Sequence, residues 1–281
     1  MKTLAVHLHL YYLEQLPEML ERLRSLNEQS YDLFVTMVKH DKKAESDIKA
    51  FNSQANIMIV PNKGYDLGPF IAFLHKIDLS KYKYVLKIHT KGNKSQNYTW
   101  LNGNRLDNKL WKQILLDALL KDSQRVCEDL ALLDNNPNMG MLSSKYCVAS
   151  EKRTYQKFLP QVNEFLEKNG LDKVNKVSFV AGTMFYVRAG LLKPLLKYTI
   201  EDFAESNNQV KEGTLAHIVE RLLGALVSAQ GYGLYGIKHD NYTKGFIVAA
   251  IKRFLYQKKK TAKGYTIIKV CRIPVWHRKG V

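Results

Sequence analysis

Between residues 4 and 89, short apolar runs alternate with amphipathic stretches, and this alternation restricts the chain more than any single motif does. Residues 4–10 (LAVHLHL) read as a buried strand. Residues 13–26 set apolar side chains at helical spacing with acids and bases opposite. Residues 31–38 are a second strand, 43–51 a short helix and 56–60 (NIMIV) a third strand. A loop rich in Gly, Pro, Asn and Asp follows (PNKGYDLGPF), then a helix to residue 77 and a fourth strand at 82–89 (YKYVLKIH). Strands and helices taking turns at this period predict an α/β fold with a mostly parallel sheet built from βαβ units. Sheets of this kind take ligands in the crevice beyond the carboxyl ends of their strands. The loops at 61–70 and 89–97 fall at two such ends, so that edge is the candidate site.

The middle of the chain is more helical. Residues 109–133 repeat Leu and Ile every three or four positions, and 139–143 read as a strand. Residues 178–188 (SFVAGTMFYVR) are strand-like with a break at Ala-Gly, 191–197 form a short apolar helix, and 212–229 form an amphipathic helix. There are no internal repeats and no low-complexity linker.

Charge enters because it constrains partners. The net charge is +17 over 281 residues, which points to an anionic partner: a phosphorylated ligand, an acidic membrane surface or nucleic acid. From Lys252 to Lys279 the Lys and Arg side chains meet no Asp or Glu, and Phe254, Leu255, Tyr256, Tyr265, Ile267, Ile268 and Trp276 are interleaved with them. That pattern suits an anionic membrane interface; aromatics among cations also suit RNA. The three cysteines, Cys127, Cys147 and Cys271, form no CxxC pair, which argues against a zinc knuckle or a disulfide framework and for a reducing, cytosolic setting. The first residues are read as no signal peptide, because the apolar run is short and carries two histidines. No apolar stretch reaches the length of about 18 residues that a membrane span needs.

Four clusters could carry chemistry. In the first, Gly64 and Gly68 allow close backbone approach, with Asn62 before them. Asp66 between them either caps the following helix or binds a nucleoside. In the second, the strand ending His89-Thr90-Lys91, with Lys94 beyond, sets cations where a diphosphate would lie. His89 read alone is a hydrogen-bonded strand-end histidine. In the third, Gly182 and Thr183 break an apolar strand, a sign of close approach by a ligand or another backbone; Phe185 beside them is core or acceptor platform. In the fourth, Glu212 opens a helix on which His217, Glu220 and Arg221 follow. A carboxylate aimed into a crevice is what an attacking hydroxyl needs for proton removal. The plainer reading makes Glu212 a helix cap and Glu220–Arg221 a surface pattern.

Taken in order, AVHLHLYYLEQLPEMLERL, NKGYDLGPF, YKYVLKIHTKGNKS, AGTMFYVR and EGTLAHIVERLLG resemble the rhamnan synthesis protein F family of bacterial polysaccharide-assembly proteins, from about residue 3 to about residue 236. The resemblance implies a GT-A-like, Rossmann-type glycosyltransferase that uses a nucleoside-diphosphate sugar to extend a capsule, O-antigen or rhamnose-containing glycan. Two departures stand out: Tyr65 precedes Asp66 where the family commonly has Arg, and Glu212 stands where it commonly has Asp. The chain is also loosely similar to inverting GT-A enzymes that hold a divalent cation through Asp-x-Asp, at a strand end that here reads His89-Thr90-Lys91. The expectation is that lysine charge replaces part of the work of Mg²⁺ or Mn²⁺, with His89 and His217 as the candidate metal ligands if a cation is used.

The expected organisation is a transferase domain at 1–244 and a basic, membrane-associating segment at 245–281. Lys91, Lys94 and amides of the 61–68 loop hold the donor diphosphate, Glu212 is the base, His217 or Glu220 assists or replaces it, and Arg221 or lysine stabilises the leaving group. The partners are a lipid-linked or oligosaccharide acceptor and the anionic inner face of the cytoplasmic membrane, with no nucleic acid. The rival readings are a nucleic-acid-binding protein, which explains the charge and the aromatic tail but not the Gly/Asp loop, the His-Thr-Lys strand end or the acid-led helix, a non-catalytic scaffold, and a metal-dependent hydrolase, for which no HExxH or nucleophile motif is present.

Overall fold

The first strand, β1 (Lys2–Leu10), is buried from Leu4 onward on both of its faces rather than on alternate residues. That pattern belongs to a central strand covered on two sides. A computed structural model of the chain describes residues 2–92, 98–101, 104–149, 156–206, 213–238, 240–260, 265–271 and 273–279. In it β1 is followed by α1 (Leu16–Leu23), β2 (Tyr31–Met37), α2 (Lys42–Phe51), β3 (Asn56–Ile59), α3 (Leu67–Leu74) and β4 (Tyr82–His89). Next come β5 (Tyr98–Leu101), β6 (Asn104–Asp107), α4 (Asn108–Leu120), α5 (Ser123–Asn135), β7 (Met139–Ser144), β8 (Val148–Ala149), α6 (Leu159–Lys168), β9 (Phe179–Val180) and β10 (Phe185–Arg188). The last elements are α7 (Leu215–Ala229), β11 (Gly233–Ile237), α8 (Thr243–Leu255), β12 (Tyr256–Lys260), β13 (Tyr265–Val270) and β14 (Ile273–Lys279).

Seven strands form the main sheet in the order β11-β7-β10-β4-β1-β2-β3. β1 pairs in parallel with β2 and β4, β2 with β3 and β11 with β7; β10 alone runs antiparallel, between β4 and β7. The run β3-β2-β1-β4 is the all-parallel half of a Rossmann-type sheet, and its order reverses between β1 and β4, where ligands sit in such folds. The expected fold class, a mostly parallel sheet flanked by helices, is therefore met.

Local chemistry sets several boundaries. Asp41 caps α2 by accepting from the Ala44 amide at 2.8 Å. The leucine repeat at 109–133 divides into α4 and α5 because Asp122 caps a new helix, accepting from the Arg125 amide at 2.9 Å. The short helix expected at 191–197 is a 3-10 helix, Ala189–Lys197, with Pro194 inside it; proline has no amide proton for an α-helical bond.

The chain folds as two compact units, Met1–Lys91 with Leu115–Ile237 and Gly92–Ile114 with Lys238–Val281. The first holds the seven-stranded sheet. The second holds the β5–β6 hairpin, α8 and an antiparallel sheet in the order β12-β13-β14. The boundary expected at 244 falls inside the second unit, which also takes in residues 92–114.

Candidate active site

Side chains alternate along a strand, so His7 and His9 of β1 share a face with Lys87 and His89 of β4. Register sets His7 beside Lys87 and His9 between Thr36 and His89. α3 covers this face, and the His7 ring stacks on Phe73 with centroids 4.7 Å apart. Thr36 receives both histidines: Nε2 of His7 and Nδ1 of His9 each lie 3.0 Å from its Oγ1. Burial pulls the His9 imidazole down to about 3 and pulls His7 well below its ordinary value, with the charge on Lys87 adding to the effect on His7.

Lys87 has no exposed side-chain surface, so its ammonium must be paired. It donates to Asp66 Oδ2 at 2.5 Å, to the Thr183 carbonyl at 2.9 Å and to Thr183 Oγ1 at 3.2 Å. Thr183 in turn donates to the same Asp66 oxygen at 2.5 Å. Asp66 makes no side-chain cap to α3, so the capping alternative is not realised. Burial opposes the Asp66 carboxylate. The charges of His89 and Lys87, with the two hydrogen bonds, outweigh it and hold the group well below the usual carboxylate range. Burial lowers Lys87, against the pull of Asp66.

His89 stands 3.7 Å from the same Asp66 oxygen, with Nε2 at 2.9 Å from the Gly182 carbonyl and Nδ1 at 3.0 Å from that of Thr90. Burial depresses it to about 4 although Asp66 acts the other way, so near neutrality the ring carries one proton and donates to one of the two carbonyls. Gly182 and Thr183 both have positive φ, +90° and +49°. For threonine that conformation is strained and is held by surrounding contacts, here the Lys87–Asp66 pair.

The amide of Gly182 donates to Glu220 Oε1 at 3.3 Å, and the other carboxylate oxygen accepts from Arg221 Nη1 at 2.5 Å. The Arg221 guanidinium lies 4.8 Å from the ring centres of both Phe158 and Phe179, so it is clamped between two rings. Burial raises the Glu220 carboxyl above its ordinary value, against the attraction of Arg221. Burial lowers Lys91, while Asp66 and Glu220 favour its charged form. The Lys91 backbone is gripped by the Gln15 side chain, which donates to its carbonyl at 2.8 Å and accepts from its amide at 3.3 Å.

Asp66, His89, Lys91, Gly182, Thr183, Glu220 and Arg221 are thus brought together at the carboxyl ends of β1 and β4. Other candidates are used differently. Thr90 Oγ1 accepts from the amides of Tyr11 and Tyr12, both at 3.0 Å, so its hydroxyl holds the turn after β1. The Asn62 carbonyl accepts from the Ser206 amide at 2.8 Å, which ties the loop to residues 203–206. Gly64 has φ +68°, and a Cβ there would lie 2.4 Å from the Phe203 ring; one on Gly68 would lie 2.1 Å from the Lys63 carbonyl. Packing therefore demands both glycines. Phe185 is buried in the core, edge-on to Phe70. His217 shares a 2.8 Å hydrogen bond with Thr214 Oγ1 and lies edge-on to Tyr65. α7 begins at Leu215, three positions after the expected start, and Glu212 and Lys94 lie outside the described residues. Sequence reading missed Lys87, His7, His9, Thr36 and Gln15.

A divalent cation of the Mg²⁺ or Mn²⁺ kind needs several oxygen ligands. Here Asp66 Oδ2 is held by Lys87 and Thr183, and Glu220 by Arg221 and Gly182. Among the described residues no group of three or more His, Cys, Asp or Glu could hold a metal ion. The described residues do not fit a resident cation.

A family model described as rhamnan synthesis protein F matches residues 1–232, most of the chain. The chain belongs to the rhamnan synthesis protein F family. Its relatives include the uncharacterized protein WxcX from two strains of Xanthomonas campestris pv. campestris, 26% identical over 230 residues, 81% of this chain and 32% of the relative. The chain thus spans about a third of the length of the curated relatives it matches. Among solved structures it is similar to residues 1–349 of TarS from S. aureus (10% identity, TM-score 0.41, 84% of this chain and 58% of that one). It is also similar to the galactosyltransferase LgtC bound to donor and acceptor sugar analogs (10% identity, TM-score 0.42, 83% and 73%). At such scores these neighbours bear on neither fold nor site, which rest on the topology and side chains described above.

Proposed function

We propose that this rhamnan synthesis family member is a GT-A-type glycosyltransferase. It moves a sugar from a nucleoside diphosphate, UDP or dTDP, to a growing polysaccharide acceptor, lipid-linked or oligosaccharide, at the cytoplasmic face of the membrane. The observation that carries this reading is the Glu220–Gly182–Lys91 arrangement at the β1/β4 switch point. A carboxyl raised by burial stands there with a cation in its electrostatic range, in a chain of this family.

Glu220 serves as the general base. A raised carboxyl is a stronger proton acceptor, and Arg221 and the Gly182 amide fix its two oxygens. The acceptor hydroxyl oxygen bonds to the anomeric carbon, the bond from that carbon to the diphosphate breaks, and the hydroxyl proton passes to Glu220. The configuration inverts in this single displacement. Lys91, with Lys94 beyond it in sequence, stabilises the departing diphosphate, as fixed charge in a water-poor site does efficiently. The Lys87–Asp66–Thr183 cluster keeps the 182–183 turn in its strained form and so keeps the Gly182 amide aimed at Glu220. No step is assigned to a metal ion.

A thermal-shift panel of UDP-, dTDP-, GDP- and CMP-sugars, with and without Mn²⁺, tests the reading, because a ligand of the folded state raises the melting temperature by mass action. A shift with UDP- or dTDP-sugars that persists without metal is expected. No shift with any of them in a folded protein would overturn it in favour of a scaffold, or of a nucleic-acid-binding protein if RNA gave the shift.

A further inference from the structure

α8 (Thr243–Leu255) turns its apolar stripe outward. Ile247, Val248, Ile251 and Leu255 recur at the three- and four-residue spacing of one helix face, and each is between 47% and 53% exposed. The opposite face is the one that packs within the second unit: Ala249 is 2% exposed, and a Cβ on Gly245 would touch Leu110 at 3.0 Å. The helix runs straight into β12, and the Cys271 amide donates to the Leu255 carbonyl at 3.0 Å. At that junction Tyr256, Val270 and Ile273 are direct cross-strand partners, all exposed, with exposed Val275 and Trp276 farther along β14. Monomeric soluble domains rarely show so many large apolar side chains on neighbouring elements.

We infer that this surface, the outer stripe of α8 with the Tyr256–Val270–Ile273 row and Trp276, inserts into the interfacial layer of an anionic phospholipid bilayer. The proposal deepens the membrane placement given above and rests on it, and it is independent of the transfer chemistry. Three observations select lipid. Lys252 to Lys279 contains Lys and Arg but no Asp or Glu, which complements anionic headgroups. The same charge would repel a second copy docked on this face. The outward groups on α8 are mainly aliphatic, which suits acyl chains, whereas single-stranded RNA is held on aromatic platforms. α8 has 13 residues, about 20 Å at the helical rise, against a hydrocarbon core of about 30 Å. Among the described residues no helix is long and apolar enough to cross a membrane, so α8 lies in the interface with its apolar side down.

Co-sedimentation of the whole chain with phosphatidylcholine vesicles, with and without phosphatidylglycerol, tests this, alongside I247D/I251D. Both substituted side chains are exposed, and an unchanged melting temperature and a monomeric mass in light scattering check the fold. Wild type is expected to bind only the anionic vesicles, and the variant to bind at least about tenfold more weakly. Trp276 fluorescence is expected to be quenched by brominated acyl chains, with the effect lost in W276F. Binding that salt abolishes but I247D/I251D leaves intact would overturn insertion while sparing electrostatic membrane association. No binding to anionic vesicles would overturn both. A concentration-dependent dimer of wild type that I247D/I251D dissolves would assign the surface to a second copy instead.

Discussion

Acidification should unfold this protein earlier than its charge alone suggests, because His7, His9 and His89 are buried in the neutral form. Unfolded, each takes a proton near 6.5. Folded, His89 does so at about 4, His9 at about 3 and His7 well below its ordinary value. Below 6.5 the unfolded chain therefore binds more protons than the native one, and stability falls with pH through that window. From about pH 7.5 to about pH 5, His9 and His89 each cost about 2 kcal/mol by linkage, about 4 kcal/mol together, and His7 adds to the loss in the same direction. That compares with a total stability of about 5–15 kcal/mol for a typical domain. The charged groups facing the cluster change the slope little. Asp66 is held well below the usual carboxylate range and stays ionised across the window, and Lys87, though lowered by burial, is held charged by Asp66. Glu220 works the other way: raised by burial, it binds a proton more readily in the native state and offsets part of the loss. Urea unfolding at a series of pH values measures the slope. The variant H9Q keeps a hydrogen-bonding partner for Thr36 but cannot titrate, so it should remove about 2 kcal/mol of the fall, one histidine's share. Wild-type stability that is flat across this range, or an H9Q slope equal to that of wild type, would refute the reasoning.

Three further outcomes follow from the site. K87M leaves the mostly buried Asp66 carboxylate without its ammonium partner and should lower unfolding free energy by up to about 3–5 kcal/mol in urea titration, part of which returns in K87M/D66L; a loss under about 1 kcal/mol would mean that the pair is not held as described. E220Q keeps the side-chain shape and one oxygen to accept from either Arg221 or the Gly182 amide, but it turns an NH2 toward the other and cannot take a proton, so kcat should fall on the order of 10² to 10⁴-fold with KM nearly unchanged in a protein that still folds. In wild type the acidic limb of the kcat profile should lie above the ordinary carboxylate value, in the direction burial pushes Glu220.

Much of the fold was legible because βαβ periodicity is a local property: strands β1 to β4 lie within a residue or two of where periodicity put them, while α1 is three residues shorter at each end than the expected 13–26 and α3 stops three residues before 77. The division of residues 109–133 into two helices was also readable, since Asp122 is a capping residue ahead of an apolar repeat. The site was less legible. Gly64, Gly68, Thr90 and Asn62 look like ligand-binding residues in a loop, yet distant partners such as Phe203 and Ser206 engage the first and last of them. Lys87 left a signal that was passed over. Once residues 82–89 are read as a strand covered on both faces, a lysine inside it must find a buried carboxylate, and Asp66 in the preceding loop is placed to be it. His7 and His9 left a fainter one, two positions apart and so on one face of the central strand. Gln15 left none, because a side-chain amide holding a backbone at residue 91 depends wholly on tertiary approach.

The antiparallel strand explains why the AGTMFYVR segment belongs to the site at all. In a fully parallel sheet, the residues before a strand arrive at the edge opposite to the ligand crevice. β10 runs against β4, with Phe185 opposite Lys87, so the turn that precedes it, Gly182–Thr183, is delivered to the carboxyl end of β4. There the Thr183 carbonyl and hydroxyl meet the Lys87 ammonium, the Gly182 carbonyl meets His89, and the Gly182 amide meets Glu220 of α7. One reversed strand therefore joins the buried charge pair of the sheet to the carboxylate proposed as base. Weakening the pair should disturb Glu220 as well as stability: K87R, which keeps the charge but cannot fit the same enclosed position, should lower kcat even where the fold survives. An active K87R enzyme of normal kcat would separate the two clusters and confine Lys87 to a structural role.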